Sequence, residues 1–281
     1  MLIVQLTDIH IGFDGPDKFD RNAARFEKAI AHINALSVKP DLILATGDLI
    51  EGGNGWAYGR AKALLEKIDI PQYYTMGNHD DRDAFEAVFK TGLMENGFLN
   101  FTIEDYDLRI IVVDTLQEGL HGGAFCEYRA DWLSRKLAEQ PKRPTLIAMH
   151  HPPIDTGIGW LTASPEDNWV KRFKTVIEPH TNIVQIIAGH IHRNITQRFA
   201  HTYVTVAQPI APKVALNLAP IDPDIPDNRV LLTDAIGGYC LHQWKEGSLT
   251  THFVNISNAE PILRYDQDHA WIVRHALDMD Y

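Results

Sequence analysis

The chain has 281 residues, 45% of them hydrophobic and 22% charged, enough to bury a sizeable core. Its 26 Lys plus Arg against 37 Asp plus Glu give a formal net charge of −11. That sign disfavours a stable grip on duplex nucleic acid, which is driven by cationic side chains neutralising phosphates. No apolar stretch approaches the ~20 residues that span a bilayer. The opening MLIVQLTDIH has no basic leader segment, and the two cysteines, Cys126 and Cys240, make neither a disulfide framework nor a thiolate zinc site. These features point away from the membrane and suit a reducing cytoplasm.

Leu2 to Leu6 reads as a buried strand. Phe26, Ala29, Ile30, Ile33 and Leu36 recur at helical spacing and predict an amphipathic helix over about residues 21 to 37. A strand from Leu42 to Ala45, a helix near Tyr58 to Lys67, a strand from Gln72 to Thr75 and a helix from about Asp83 to Phe89 follow. Asn100 to Ile103 and Arg109 to Asp114 read as a hairpin. Helices at Arg129 to Glu139 and Trp169 to Glu178 then alternate with strands at Thr145 to Ala148 and Ile183 to Ile187, which predicts a layered α/β fold. Residues 207 to 228 hold five prolines and read as an ordered excursion or lid. Arg229 to Thr233, Tyr239 to Trp244 and Thr250 to Ile256 read as a closing β-meander, followed by a mixed tail from about Ser257.

Most of the predicted strands end in residue types that bind metals. The first runs into Asp8 and His10, the second into Gly47-Asp48, and the third into Gly77-Asn78-His79-Asp80. Two later strands deliver His150-His151 and Gly189-His190-Ile191-His192. Ligands of open α/β sheets bind at the carboxyl ends of strands, so these loops are expected to meet in one crevice. Each pair alone has an ordinary reading as a cap, a turn or a polar strand end; the five together define a candidate site. Aspartate oxygens and imidazole nitrogens suit Zn, Fe, Mn or Co better than Ca or Mg.

The order D-x-H, G-D, G-N-H-D, H and G-H-x-H resembles the calcineurin-like metallophosphoesterases over about residues 4 to 194. Within them it is most similar to the bacterial class III cyclic nucleotide phosphodiesterases and the related glycerophosphodiesterases. The resemblance implies a four-layer αββα sandwich and two metal ions. One ion would be held by Asp8, His10, a bridging Asp48 and His192, the other by Asp48, Asn78, His150 and His190. It also implies in-line attack of a metal-bound hydroxide on a small phosphodiester. His79 would donate to the phosphoryl oxygens or protonate the leaving oxygen, and Asp80 would orient its imidazole.

Relatives that act as protein phosphatases carry G-D-x-x-D-R-G, whereas this chain reads Gly47-Asp48-Leu49-Ile50-Glu51-Gly52-Gly53. The missing arginine favours a singly charged diester, a cyclic nucleotide or a glycerophosphodiester, over a monoester dianion. Phosphomonoesterase and nuclease activities are the alternatives, and a non-catalytic scaffold is a remote one. Trp56, Tyr58, His121 and Trp160 are candidate pocket walls, and His151 a neighbour of the donors rather than one of them. Residues 1–256 are expected to form the metallophosphoesterase domain and 257–281 a tail. Related enzymes often form dimers or larger assemblies, so that tail is expected to pack on a neighbouring subunit.

Overall fold

The computed structural model describes residues 1–53, 55–257 and 260–277. In chain order the elements are β1 (Leu2–Leu6), α1 (Arg21–Asn34), β2 (Leu42–Thr46), α2 (Gly55–Leu65), β3 (Gln72–Thr75), α3 (Arg82–Phe89), β4 (Phe101–Ile103) and β5 (Arg109–Val112). They continue with α4 (Glu127–Glu139), β6 (Thr145–Ala148), α5 (Asn168–Ile177), β7 (Ile183–Ala188), β8 (Ile195–Phe199) and β9 (Thr202–Val206). Last come β10 (Lys213–Val214), β11 (Leu232–Thr233), β12 (Gly238–Lys245), β13 (Ser248–Asn255) and α6 (Ala270–Leu277).

Two mixed sheets form the centre, ordered β13-β12-β1-β2-β3 and β4-β5-β6-β7-β9-β8. The strands that lead to the site run parallel within each sheet, β1 beside β2 and β3, and β5 beside β6 and β7. The period of two along a strand builds the layers. Ile110, Val112, Leu146, Ala148 and Ile187 pack in one core with Ile3, Val4, Leu42 and Leu44 of the other sheet. Their neighbours Ile111, Val113, Ile147, Met149 and Ile186 turn outward onto Trp132, Leu133, Phe173 and Ile177 of α4 and α5. On the opposite side α1 and α2 cover the first sheet through Phe26, Ile30, Ala61 and Leu65. The result is the expected α/β sandwich of two central sheets between helices.

The end of the chain differs from the expected three-strand meander. Only β12 and β13 form a hairpin, and it extends the first sheet, with β12 antiparallel to β1. Both edges of β12 are thereby taken, so the run from Arg229 to Thr233 finds no place beside it. Its Leu232 and Thr233 pair instead with Lys213 and Val214 in a separate two-stranded ribbon. The proline-rich stretch thus folds back towards the strand ends rather than into a sheet.

Candidate metal centre

The carboxyl ends of β1, β2, β3, β6 and β7 lie together, and backbone hydrogen bonds zip their loops into one unit. Asp8 N donates to Gly47 O, Ile9 N and His10 N donate to Asp48 O, and Gly189 N donates to His150 O. The two sheets are joined where His190 N donates to the Asp8 carboxylate at 3.0 Å. The N-terminus of α1 braces the first loop: Asp20 caps the helix and also accepts from Gly12 N, while Asn22 donates to His10 O. Asp8, His10, Asp48, His190 and His192 all have φ between +51° and +72°, five of the ten non-glycine positions with positive φ among the described residues. Left-handed backbone is uncommon outside glycine even though Asp and His tolerate it better than most, and its concentration here marks a site whose geometry is imposed by the surrounding fold.

The side chains expected as donors meet. His192 Nε2 lies 3.2 Å from an Asp8 oxygen and 3.2 Å from His10 Nε2. Asp48 Oδ2 stands between His10 Nε2 at 3.5 Å and His150 Nε2 at 3.3 Å, and the Asn78 side-chain oxygen is 3.3 Å from that same His150 nitrogen. Ligand-capable atoms within 4.8 Å of one another group Asp8 with His10 and His192, Asp8 with Asp48 and His150, His190 with His150 and His151, and His79 with His10 and Asp48. The opposite ring nitrogens are committed elsewhere. His150 Nδ1 donates to Thr46 O and His192 Nδ1 to Pro212 O, each at 2.8 Å or less, and His10 Nδ1 meets Glu51 at 2.6 Å. With Nδ1 carrying the proton, the Nε2 lone pairs of these rings face one another and two buried carboxylates. Acceptors so crowded need positive charge among them, so the donor set fits divalent metal ions.

His79 occupies the rim. Its ring is edge-on to His10 at 4.6 Å, and its backbone N–H donates to Asp48. Asp80 does not orient it. The Asp80 carboxylate turns inward, accepting from Asp48 N, Gly77 N and the Tyr58 hydroxyl, so it ties the second and third loops together. Glu51 takes the orienting place instead, 3.2 Å from His79 Nδ1. The sequence showed Glu51 as the stand-in for another acid, but its two histidine partners come from other loops, which spacing alone does not reveal.

The protein's own field sorts these groups. Burial opposes ionisation of Asp48, yet the adjacent His150, His10 and His79 rings hold its carboxyl well below the usual range. Burial likewise works against Glu51, but its bonds to His10 and His79 bring it down to about 2. His79 is partly desolvated, and the Glu51 bond with the Asp48 charge nevertheless lifts it to about 9. Burial and the Asp48 charge push Asp80 up to about 7.

A cavity of about 250 Å³ opens over the donors, lined on one side by His10, Asp48, His79, His190 and His192 and on the other by apolar side chains. His121 and Trp160 line it as expected. Tyr58 is buried on Asp80, and Trp56 packs against Gly12, so neither forms a wall of the cavity. Arg82 is spent on Asp114, Glu118 and Leu116 O and supplies no charge to the cavity. His151 bonds Thr115 through Nδ1, and its buried Nε2 has no hydrogen-bond partner among the described residues.

The fold and this donor cluster define a metallophosphoesterase: residues 1–194 match the calcineurin-like phosphoesterase family, and the chain belongs to it. A probable glycerophosphodiester phosphodiesterase, GpdQ, of Arcobacter nitrofigilis is 31% identical over 266 residues, 92% of this chain and 95% of that protein. The 3′,5′-cyclic adenosine monophosphate phosphodiesterase CpdA of Escherichia coli is 28% identical over 69% of this chain and 70% of its own length. Among solved structures, a dimetal phosphatase from Danio rerio shares the fold, with a TM-score of 0.64 at 12% identity over 88% of this chain and 93% of that one.

Proposed function

We propose that the protein is a metal-dependent phosphodiesterase acting on small, singly charged phosphodiesters such as cyclic nucleotides or glycerophosphodiesters. The observation that carries this reading is the convergence of Asp8, Asp48, His10, His150, His190 and His192 beneath a cavity whose described lining includes four of them and no Lys or Arg. Beyond the His79 imidazole, positive charge for a phosphate must then come from ions, and two fit the donors: Asp8, His10, Asp48 and His192 for one, and Asp48, Asn78, His150 and His190 for the other. When bound, such ions supply Lewis acidity and make water acidic enough to act as a nucleophile near neutral pH. Fe, Mn, Zn and Co all suit the mixed nitrogen and oxygen set.

The chain's own residues do the rest. Asp48 lies between the two donor groups and fixes their spacing. His79 faces the cavity with its Nδ1 held by Glu51, leaving Nε2–H as a donor to a phosphoryl or leaving-group oxygen. Asp80 acts at one remove, as a positioning residue that locks the loops of Asp48 and Asn78. A monoester dianion would ask for further cationic partners that this lining lacks.

Kinetic profiling of metal-reconstituted protein tests the reading. It should compare 3′,5′-cyclic nucleotides, 2′,3′-cyclic nucleotides, glycerophosphodiesters and simple monoesters. Diesters are expected to lead; a monoester preference above about tenfold in kcat/KM, roughly 1.4 kcal/mol, overturns it.

A further inference from the structure

We propose that the outer wall of the cavity selects diesters carrying a flat, weakly polar substituent over those carrying a polyol, and that Trp160 and Leu232 make this choice. The proposal rests on the phosphodiesterase reading and adds to it the chemistry of the group attached to the phosphate.

Three large apolar side chains that the fold leaves exposed, Phe13 at 50%, Trp160 at 37% and Leu232 at 48%, all line this one cavity. They come from three distant stretches: the loop after β1, the loop between β6 and α5, and the β11 half of the small ribbon. Leu161, Pro212 and Val214 fill the wall between them. Apolar groups gathered from separate loops onto a reactive centre are a surface that a ligand completes. A ring laid on this wall sheds water at no polar cost, whereas hydroxyls brought there lose hydration and find few partners.

The wall is also held in register with the donors. The Pro212 carbonyl accepts from His192 Nδ1 at 2.7 Å, and the Val214 carbonyl accepts from Arg193 at 2.7 Å. Ala215 N donates to Leu231 O, closing the ribbon. The same excursion leans on the loop that carries Trp160, since a Cβ on Gly157 would sit 3.3 Å from Leu218 Cδ2. A phosphate seated on the donors therefore presents its substituent to a fixed apolar surface.

The test uses the full chain reconstituted with metal and two diesters of equal charge and identical leaving group, bis(p-nitrophenyl) phosphate and methyl p-nitrophenyl phosphate. Trp160→Ala and Leu232→Ala should each lower the aryl-to-methyl ratio of kcat/KM by about fivefold or more, chiefly through KM for the aryl ester. Trp160→Phe, which keeps a flat ring, should recover most of that ratio. A purine cyclic nucleotide should lose more than a glycerol diester in the alanine variants. Thermal melts establish that each variant is folded, and the two substitutions lie on separate segments, the loop between β6 and α5 and strand β11. Ratios unchanged in both folded alanine variants overturn the wall while leaving the diesterase reading intact. A wild-type protein that cleaves monoesters but neither diester removes both.

Discussion

One carboxylate, Glu51, reaches two imidazoles, His10 at 2.6 Å and His79 at 3.2 Å, and so couples a candidate metal donor to the candidate acid. Replacing it by glutamine keeps the size but removes the charge that fixes both rings. We expect Glu51→Gln to lower kcat or metal affinity by ~10- to 100-fold, the usual cost of losing a partner of a ligating histidine. Metal content after dialysis and steady-state kinetics would check this, and wild-type values on both would dismiss the role. His79 comes within 4.8 Å of ligand atoms of His10 and Asp48, but its Nδ1 is held at the rim by Glu51. His79→Ala should therefore keep its bound metal, by elemental analysis, while turnover falls by ~10²- to 10⁴-fold; unchanged turnover would reject the assignment. At this scale the sequence displayed residue types faithfully and partners poorly. The meeting of Asp8, His10, Asp48, Asn78, His150, His190 and His192 was legible because strand ends restrict where side chains sit, and metal chemistry restricts which types are proposed as donors. Asp80 stands next to His79 in the chain, yet its side chain is drawn away by the N–H groups of Asp48 and Gly77. Sequence adjacency does not settle direction.

Between elements, close packing of strand ends sets the tolerance of the site. A Cβ on Gly189 would lie 1.9 Å from Thr7 Oγ1 and 2.8 Å from Asp8 Oδ2, where β7 meets the loop leaving β1. Gly189→Ala should cost ~1–3 kcal/mol of stability from overpacking and weaken metal retention with it, both measurable by denaturation with and without added metal. A second consequence concerns pH. His242 on β12 is buried between Gln5 on β1 and Thr251 on β13, bonded to each through a different ring nitrogen. Burial, with His252 nearby, carries it down to about 3, against ~6.5 for an unfolded imidazole. Between those values the unfolded chain binds a proton that the fold refuses, so stability falls as pH drops below about 6.5 and is unaffected above it. At pH 5 the loss amounts to roughly 2 kcal/mol. The wild-type stability curve should therefore be steeper over pH 6.5 to 4 than that of His242→Gln, and equal slopes would exclude this contribution. The parallel strands were readable because they are short and largely apolar, and several are bounded by glycine or proline, as with Gly47 after β2, Pro71 before β3, Pro144 before β6 and Gly189 after β7. The closing meander was misread for a different reason: which strand a hairpin joins depends on the free edge of β1, a property of the assembled sheet.

For the whole molecule, a net charge of −11 and a phosphate substrate are compatible only because the attraction is local to the donor cluster; the remaining surface governs solubility and self-association. No helix among the described residues is long and apolar enough to cross a membrane. Exposed apolar side chains nonetheless gather towards the end of the chain. Ile262 is fully exposed, Tyr265, Trp271 and Leu277 are 73%, 63% and 79% exposed, and α6 buries none of its residues. Nearby in sequence, the eight-residue β13 is the outer strand of its sheet and shows Phe253 to solvent. A long open edge and an apolar helix face left bare are liabilities in a monomer and assets in an interface. We predict that the protein self-associates through this region. Light scattering on the full chain should give a dimer or larger species, and Trp271→Ser combined with Ile262→Ser should shift it towards monomer without altering the melting of the sandwich core. A wild-type protein that stays monomeric at working concentration, or a double variant that assembles as before, would place the interface elsewhere or abolish it.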